Sequence, residues 1–166
     1  MTVRYIKTMD ERAGHMVTSR SAGDTEALGH AVGRLAQPGL YIALCGELGG
    51  GKTTFVRGLA AGLGARERVA SPTFVLMRQY QGRLTLFHCD FYRLGAGGDI
   101  AELELEQCLE QGVVAAEWAD LCDTPHGAQM LELHFQWTGD DSRTIHINAP
   151  AGDPDGLISR LLNKFQ

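Results

Sequence analysis

Residues 40–59, LYIALCGELGGGKTTFVRGL, set six apolar residues before a glycine-rich loop and an amphipathic stretch after it. The apolar run suits a strand buried on both faces, as central strands of parallel sheets are. The stretch TTFVRGLAAGLG reads as a helix closing at Gly62 or Gly64. A buried strand feeding a helix through a tight loop calls for an α/β sheet.

Gly46 to Thr53 also satisfies the pattern G-x-x-x-x-G-K-[ST], the P-loop or Walker A spacing. Lysine is scarce here: Lys7 and Lys164 lie near the ends, and Lys52 is the only interior one. Glycines let backbone N–H groups turn toward phosphate oxygens without a Cβ in the way. A helix N-terminus adds partial positive charge on the same side. Lys52 is then a point charge for the β- and γ-phosphates, and the Thr53 hydroxyl a ligand for Mg²⁺. Glu47 is expected to point outward.

The flanking pattern supports one three-layer α/β domain with a mixed, mostly parallel sheet. Ser21 and Asp24 resemble a capping box, followed by apolar positions 27, 28, 31, 32 and 35 on one helix face. FVLMRQY (74–80) and RLTLFHC (83–89) flank Gln81-Gly82 and read as an antiparallel hairpin. Asp99 is placed as the cap of a helix over about 100–111, and VVAA (113–116) is another short buried run. LELHFQW and RTIHINA form a second hairpin around TGDDS, and LISRLL is helical. Residues 1–20 are expected to be an extension or first strand, and 21–166 the P-loop domain.

Two further strand-like runs end in carboxylates, LTLFHC before Asp90 and VVAA before Glu117. In open α/β sheets, ligands sit beyond the carboxyl ends of strands. Asp90 has the Walker B arrangement and is expected to serve Mg²⁺ directly or through water. Glu117 is expected to complete the metal shell or orient water. Pro72 biases Ser71 toward an extended backbone and holds Thr73 where a strand begins, so its hydroxyl can meet a γ-phosphate or Mg²⁺. Lys52, Thr73, Asp90 and Glu117 are the expected catalytic set. Trp118 reads as core or interface, and Arg93 as an ion-pair or partner residue.

A formal charge of −5 without a lysine-rich stretch argues against independent, tight nucleic-acid binding. The start of the chain has no apolar signal-peptide core, which gives a cytoplasmic expectation. The four cysteines show no metal-ligand spacing and read as buried free thiols.

Together GELGGGKTTFVRGL (46–59), SPTFVL (71–76), HCDFYRL (88–94) and EW (117–118) resemble the TsaE family, also called YjeE, small bacterial ATPases. The resemblance spans about Ser21 to Trp118, with Gly50 standing where alanine is usual. It implies ATP and Mg²⁺ as cofactors and the TsaB–TsaD heterodimer as partner. That complex transfers threonylcarbamoyl to the tRNA adenosine beside the anticodon, with ATP hydrolysis resetting it. The chain alone would be a weakly active monomer that reaches tRNA through its partners. Carried over, Gly49 to Thr54 meet phosphates, Thr53 and Glu117 hold the metal, Asp90 serves metal and water, and Thr73 senses γ-phosphate. The turn around Ala22 and Arg143 are the candidate base-side contacts.

Rival readings are weaker. A small-molecule phosphotransferase usually carries an arginine-bearing lid, and only Arg93, Arg143 and Arg160 follow Asp90. Guanine readers commonly carry [NT]-K-x-D, which this chain lacks. A nucleotide-dependent interaction module without hydrolysis would not need Asp90 and Glu117 at strand ends.

Overall fold

The computed structural model describes residues 4–5, 14–72 and 74–164. Thr73, the expected γ-phosphate sensor, lies outside the described residues. The described strands are β1 (Arg4–Tyr5), β2 (His15–Ser19), β3 (Leu40–Gly46), β4 (Met77–Tyr80), β5 (Thr85–Asp90), β6 (Gly112–Glu117), β7 (Gln129–Trp137) and β8 (Arg143–Asn148). The α-helices are α1 (Ala22–Leu35), α2 (Lys52–Gly62), α3 (Leu105–Gln111) and α4 (Leu157–Lys164).

The strands form one sheet in the order β1-β2-β8-β7-β3-β6-β5-β4. Its centre, β7-β3-β6-β5, is parallel. Antiparallel pairs flank that centre on both sides. Every residue of β6 is buried, as are Leu40 to Cys45 of β3, so these strands read as continuous apolar runs rather than alternating ones. One face of the sheet packs on α1, α2 and α4 through Leu28, Phe55, Leu59 and Leu161. The other packs on α3 through Phe87, Phe91 and Leu109. Three layers result.

The Ser21 hydroxyl accepts from Asp24 N–H at 3.1 Å, and the Asp24 carboxylate reaches back to Arg20 N–H at 2.9 Å. At the other end of α1, Arg83 donates to the carbonyls of Gly33 and Ala36 at 2.6 and 2.7 Å, satisfying acceptors the helix leaves open. Helices α1 and α2 cross backbone to backbone. A Cβ on Gly29 or Gly33 would overlap the carbonyls of Phe55 and Leu59, and one on Gly58 or Gly62 those of Glu26 and His30. This seam presses the P-loop helix against its neighbour.

Two elements differ from expectation. The strand expected over 74–80 begins at Met77, because Val75 N–H closes a turn onto the Pro72 carbonyl and leaves Phe74 and Val75 exposed. The helix expected over 100–111 is broken at Glu104, whose φ of 48° ends a 3₁₀ turn over Ala101–Leu103 before α3 starts. Asp99, one residue before the cap position Ile100, accepts from Ala101 N–H at 2.9 Å.

Candidate functional site

Three neighbouring parallel strands, β3, β6 and β5, end side by side. Leu44 pairs with Glu117 and Glu117 with Asp90, so both carboxylates stand at the strand ends beside the loop that leaves β3. A cleft of about 300 Å³ opens there, lined by residues 48–54 with Ser71, Asp90, Tyr92, Glu117 and Trp118.

The loop is shaped for an anion. Gly50 N–H turns back onto the Glu47 carbonyl at 3.1 Å, and Glu47 itself is exposed. Gly51 caps α2 at φ 107°, a left-handed conformation that a side chain would strain. Among the described residues no side chain caps this helix, so the first-turn amides remain for an acceptor entering from the cleft. Lys52 is the first residue of that turn and is buried. Its ammonium donates to the Gly46 and Glu47 carbonyls, each at 2.7 Å, and lies 4.2 Å from the centre of the Trp118 ring. Desolvation lowers the Lys52 pKa below its ordinary value, while Glu117 and Asp90 pull it back up. A desolvated cation held by two neutral carbonyls gains strongly from a charged acceptor.

One residue further on, the Thr53 hydroxyl donates to Glu117 Oε1 at 2.8 Å and faces Oε2 at 3.1 Å. Glu117 Oε1 also meets His88 Nε2 at 2.8 Å. Asp90 accepts from Tyr92 N–H at 3.0 Å through Oδ1 and from the Ser71 hydroxyl at 3.4 Å through Oδ2. A hydroxyl, a buried carboxylate and a second carboxylate one strand away form a set of hard oxygen donors, the kind Mg²⁺ takes.

Gly49 to Thr54, Asp90 and Glu117 thus share one cleft. Ala22 and Arg143 do not line it. Ala22 is the exposed first residue of α1. Arg143 is buried against the loop from the hairpin side, where a Cβ on Gly51 would sit 2.7 Å from its Nη1. Its Nη1 donates to the Thr25 hydroxyl at 3.2 Å, and its guanidinium lies 4.9 Å from the Trp137 ring centre. Arg93 lies over the Phe74 ring at 4.9 Å.

Sequence reasoning assigned nothing to His88 and did not foresee Trp118 over Lys52. The signal for His88 was available: two residues before Asp90 on a strand, it shares the face of Asp90. Trp118 has φ 57°, and this left-handed turn directly after β6 brings its ring back over the loop.

A strand, phosphate-shaped loop and helix, with acids on the two next strand ends, define a P-loop α/β domain. The family model for threonylcarbamoyl adenosine biosynthesis protein TsaE matches residues 19–145. A tRNA threonylcarbamoyladenosine biosynthesis protein TsaE from Treponema pallidum is 48% identical over 130 residues, covering 78% of this chain and 96% of that protein. One from Bacillus subtilis is 38% identical over 140 residues, covering 83% and 87%. The crystal structure of Bacillus subtilis YdiB superposes with a TM-score of 0.74 at 28% identity, covering 100% of this chain and 99% of that one. The chain belongs to the TsaE family.

Proposed function

We propose that the chain is a Mg²⁺-dependent ATPase of tRNA threonylcarbamoyladenosine biosynthesis, acting with the TsaB–TsaD heterodimer. The observation that carries this reading is the Thr53–Glu117 hydrogen bond at 2.8 Å, set one residue from the desolvated Lys52 ammonium.

In this reading the residues divide their tasks by position. The loop from Gly49 to Thr54 holds phosphate oxygens through the amides it leaves free, and Lys52 exchanges its two carbonyl partners for them. Thr53 and Glu117 hold Mg²⁺, with Asp90 beside them. Bound Mg²⁺ supplies positive charge against the phosphate oxygens. Asp90 accepts a hydrogen bond from the attacking water and orients it. Thr73, which follows the fixed Pro72, reads the γ-phosphate as the 71–76 segment closes over the cleft. Arg143 and the turn at Ala22 serve the base side.

The charge of −5 and the single interior lysine fit a cytoplasmic monomer that reaches tRNA through partners. Among the described residues no helix is long and apolar enough to cross a membrane. Loop closure gates turnover in many enzymes, so TsaB–TsaD would raise a slow intrinsic rate by holding the loop closed. Linkage then requires ATP to favour docking as much as docking favours ATP.

The test is to measure ATP hydrolysis with and without TsaB–TsaD, alongside association in ATP, ADP and no nucleotide. Partner-stimulated hydrolysis and ATP-favoured association are expected. A fast, partner-independent rate, or association equal in all three states, would refute the coupling.

A further inference from the structure

We infer that His88 is a positioning residue for Glu117: it holds Oε1 so that the carboxylate presents its remaining lone pairs to the cation beside Thr53. This rests on the Mg²⁺ reading proposed above. His88 lies two residues before Asp90 on β5, fully buried, and its Nε2 is 2.8 Å from Glu117 Oε1. A carboxylate accepts, so Nε2 carries the hydrogen. The ring's Nδ1 has no hydrogen-bond partner among the described residues.

A residue kept only to fill the core would not need this arrangement. Burying an imidazole with an orphaned nitrogen costs stability that an apolar side chain of similar size does not. On β6 the register partner of His88 is Ala115 and on β4 it is the exposed Arg78, Leu86 precedes it by two residues on β5, and the Tyr80 ring lies 6.5 Å away. Among the described residues the imidazole makes one hydrogen bond, to Glu117, and that contact decides how the carboxylate is turned. Thr53 reaches both carboxylate oxygens and leaves their orientation loose, at 2.8 and 3.1 Å. The bond from His88 removes that freedom by committing Oε1. Partners that orient a metal-binding carboxylate commonly change metal affinity by about 10- to 100-fold when removed.

The experiment titrates MgCl₂ into the complex of the full chain with a fluorescent ATP analogue, and measures analogue affinity separately in EDTA. His88→Asn shortens the side chain beyond reach of Glu117, His88→Met fills the space without a donor, and His88→Gln returns an N–H close to the position of Nε2. Expected for Asn and Met is a Mg²⁺ affinity weakened about 10- to 100-fold, with EDTA affinity for the analogue unchanged; Gln restores Mg²⁺ affinity. Wild-type Mg²⁺ affinity in Asn or Met, no rescue by Gln, or failure of both Asn and Met to fold would make His88 structural and overturn this inference alone. A wild-type complex that takes up no Mg²⁺ would overturn the parent reading as well.

Discussion

The Thr53 hydroxyl and the Glu117 carboxylate meet at 2.8 Å across 64 residues of sequence. Parallel pairing of β3 with β6 makes the meeting possible: Leu44 sits opposite Glu117, and Thr53 is the second residue of the helix that follows β3. If this pair holds the cation, its two halves are separable from nucleotide binding as such. Glu117→Ala and Thr53→Val should keep ATP binding in EDTA but lose its strengthening by Mg²⁺, with hydrolysis suppressed. Asp90→Asn should lower turnover more than binding. Parent-like hydrolysis in Glu117→Ala and Asp90→Asn together would make these acids structural.

The α1–α2 seam sets the position of the P-loop helix. At Gly29 and Gly58 an added Cβ meets backbone carbonyls rather than movable side chains, so the helices must separate. Gly29→Ala and Gly58→Ala should each destabilise the fold by about 1–3 kcal/mol, the usual cost of overpacking. Chemical denaturation reads this directly; a midpoint unchanged in both would show the seam to be loose.

Alkaline pH probes the buried thiols. Burial, and then Asp120, pushes the Cys45 thiol from 9.0 up to about 12. Burial also raises Cys89, Cys108, Cys122 and the Tyr41 hydroxyl. Above pH 9.0 the unfolded chain sheds protons that the folded one keeps, so this stability is whole below 9.0 and is lost as pH climbs toward 12 for Cys45. Lys52 acts in the opposite sense, since its desolvation cost is relieved as pH rises toward 10.5. Several acids outweigh one base. The urea midpoint of the nucleotide-free chain should fall between about pH 9 and 11, less steeply in Cys45→Ala. A flat profile would contradict the burial argument.

Much of the site was legible because its signals are local. The loop pattern, the apolar run before it and the carboxylates ending two other apolar runs are each contained in about ten residues or fewer. What escaped depended on geometry that composition does not encode. Glu104 takes a left-handed backbone despite its side chain, which breaks the helix expected after Asp99. Phe74 and Val75 look like strand residues, yet a turn onto Pro72 leaves them exposed. His88 and Glu117 lie 29 residues apart and meet only because β5 and β6 pair in a particular register. Trp118 reaches Lys52 through one positive φ.

The central claim is that Lys52 holds nucleotide phosphate, and calorimetric titration of ATP with Mg²⁺ into the wild-type chain and Lys52→Ala tests it most directly. The substitution removes one charge-assisted contact while leaving the loop amides in place. ATP binding should weaken by about 1–3 kcal/mol, close to the value of a hydrogen bond to a charged group. Equal ATP affinity in the two proteins, or no binding heat in the wild type, would contradict the account.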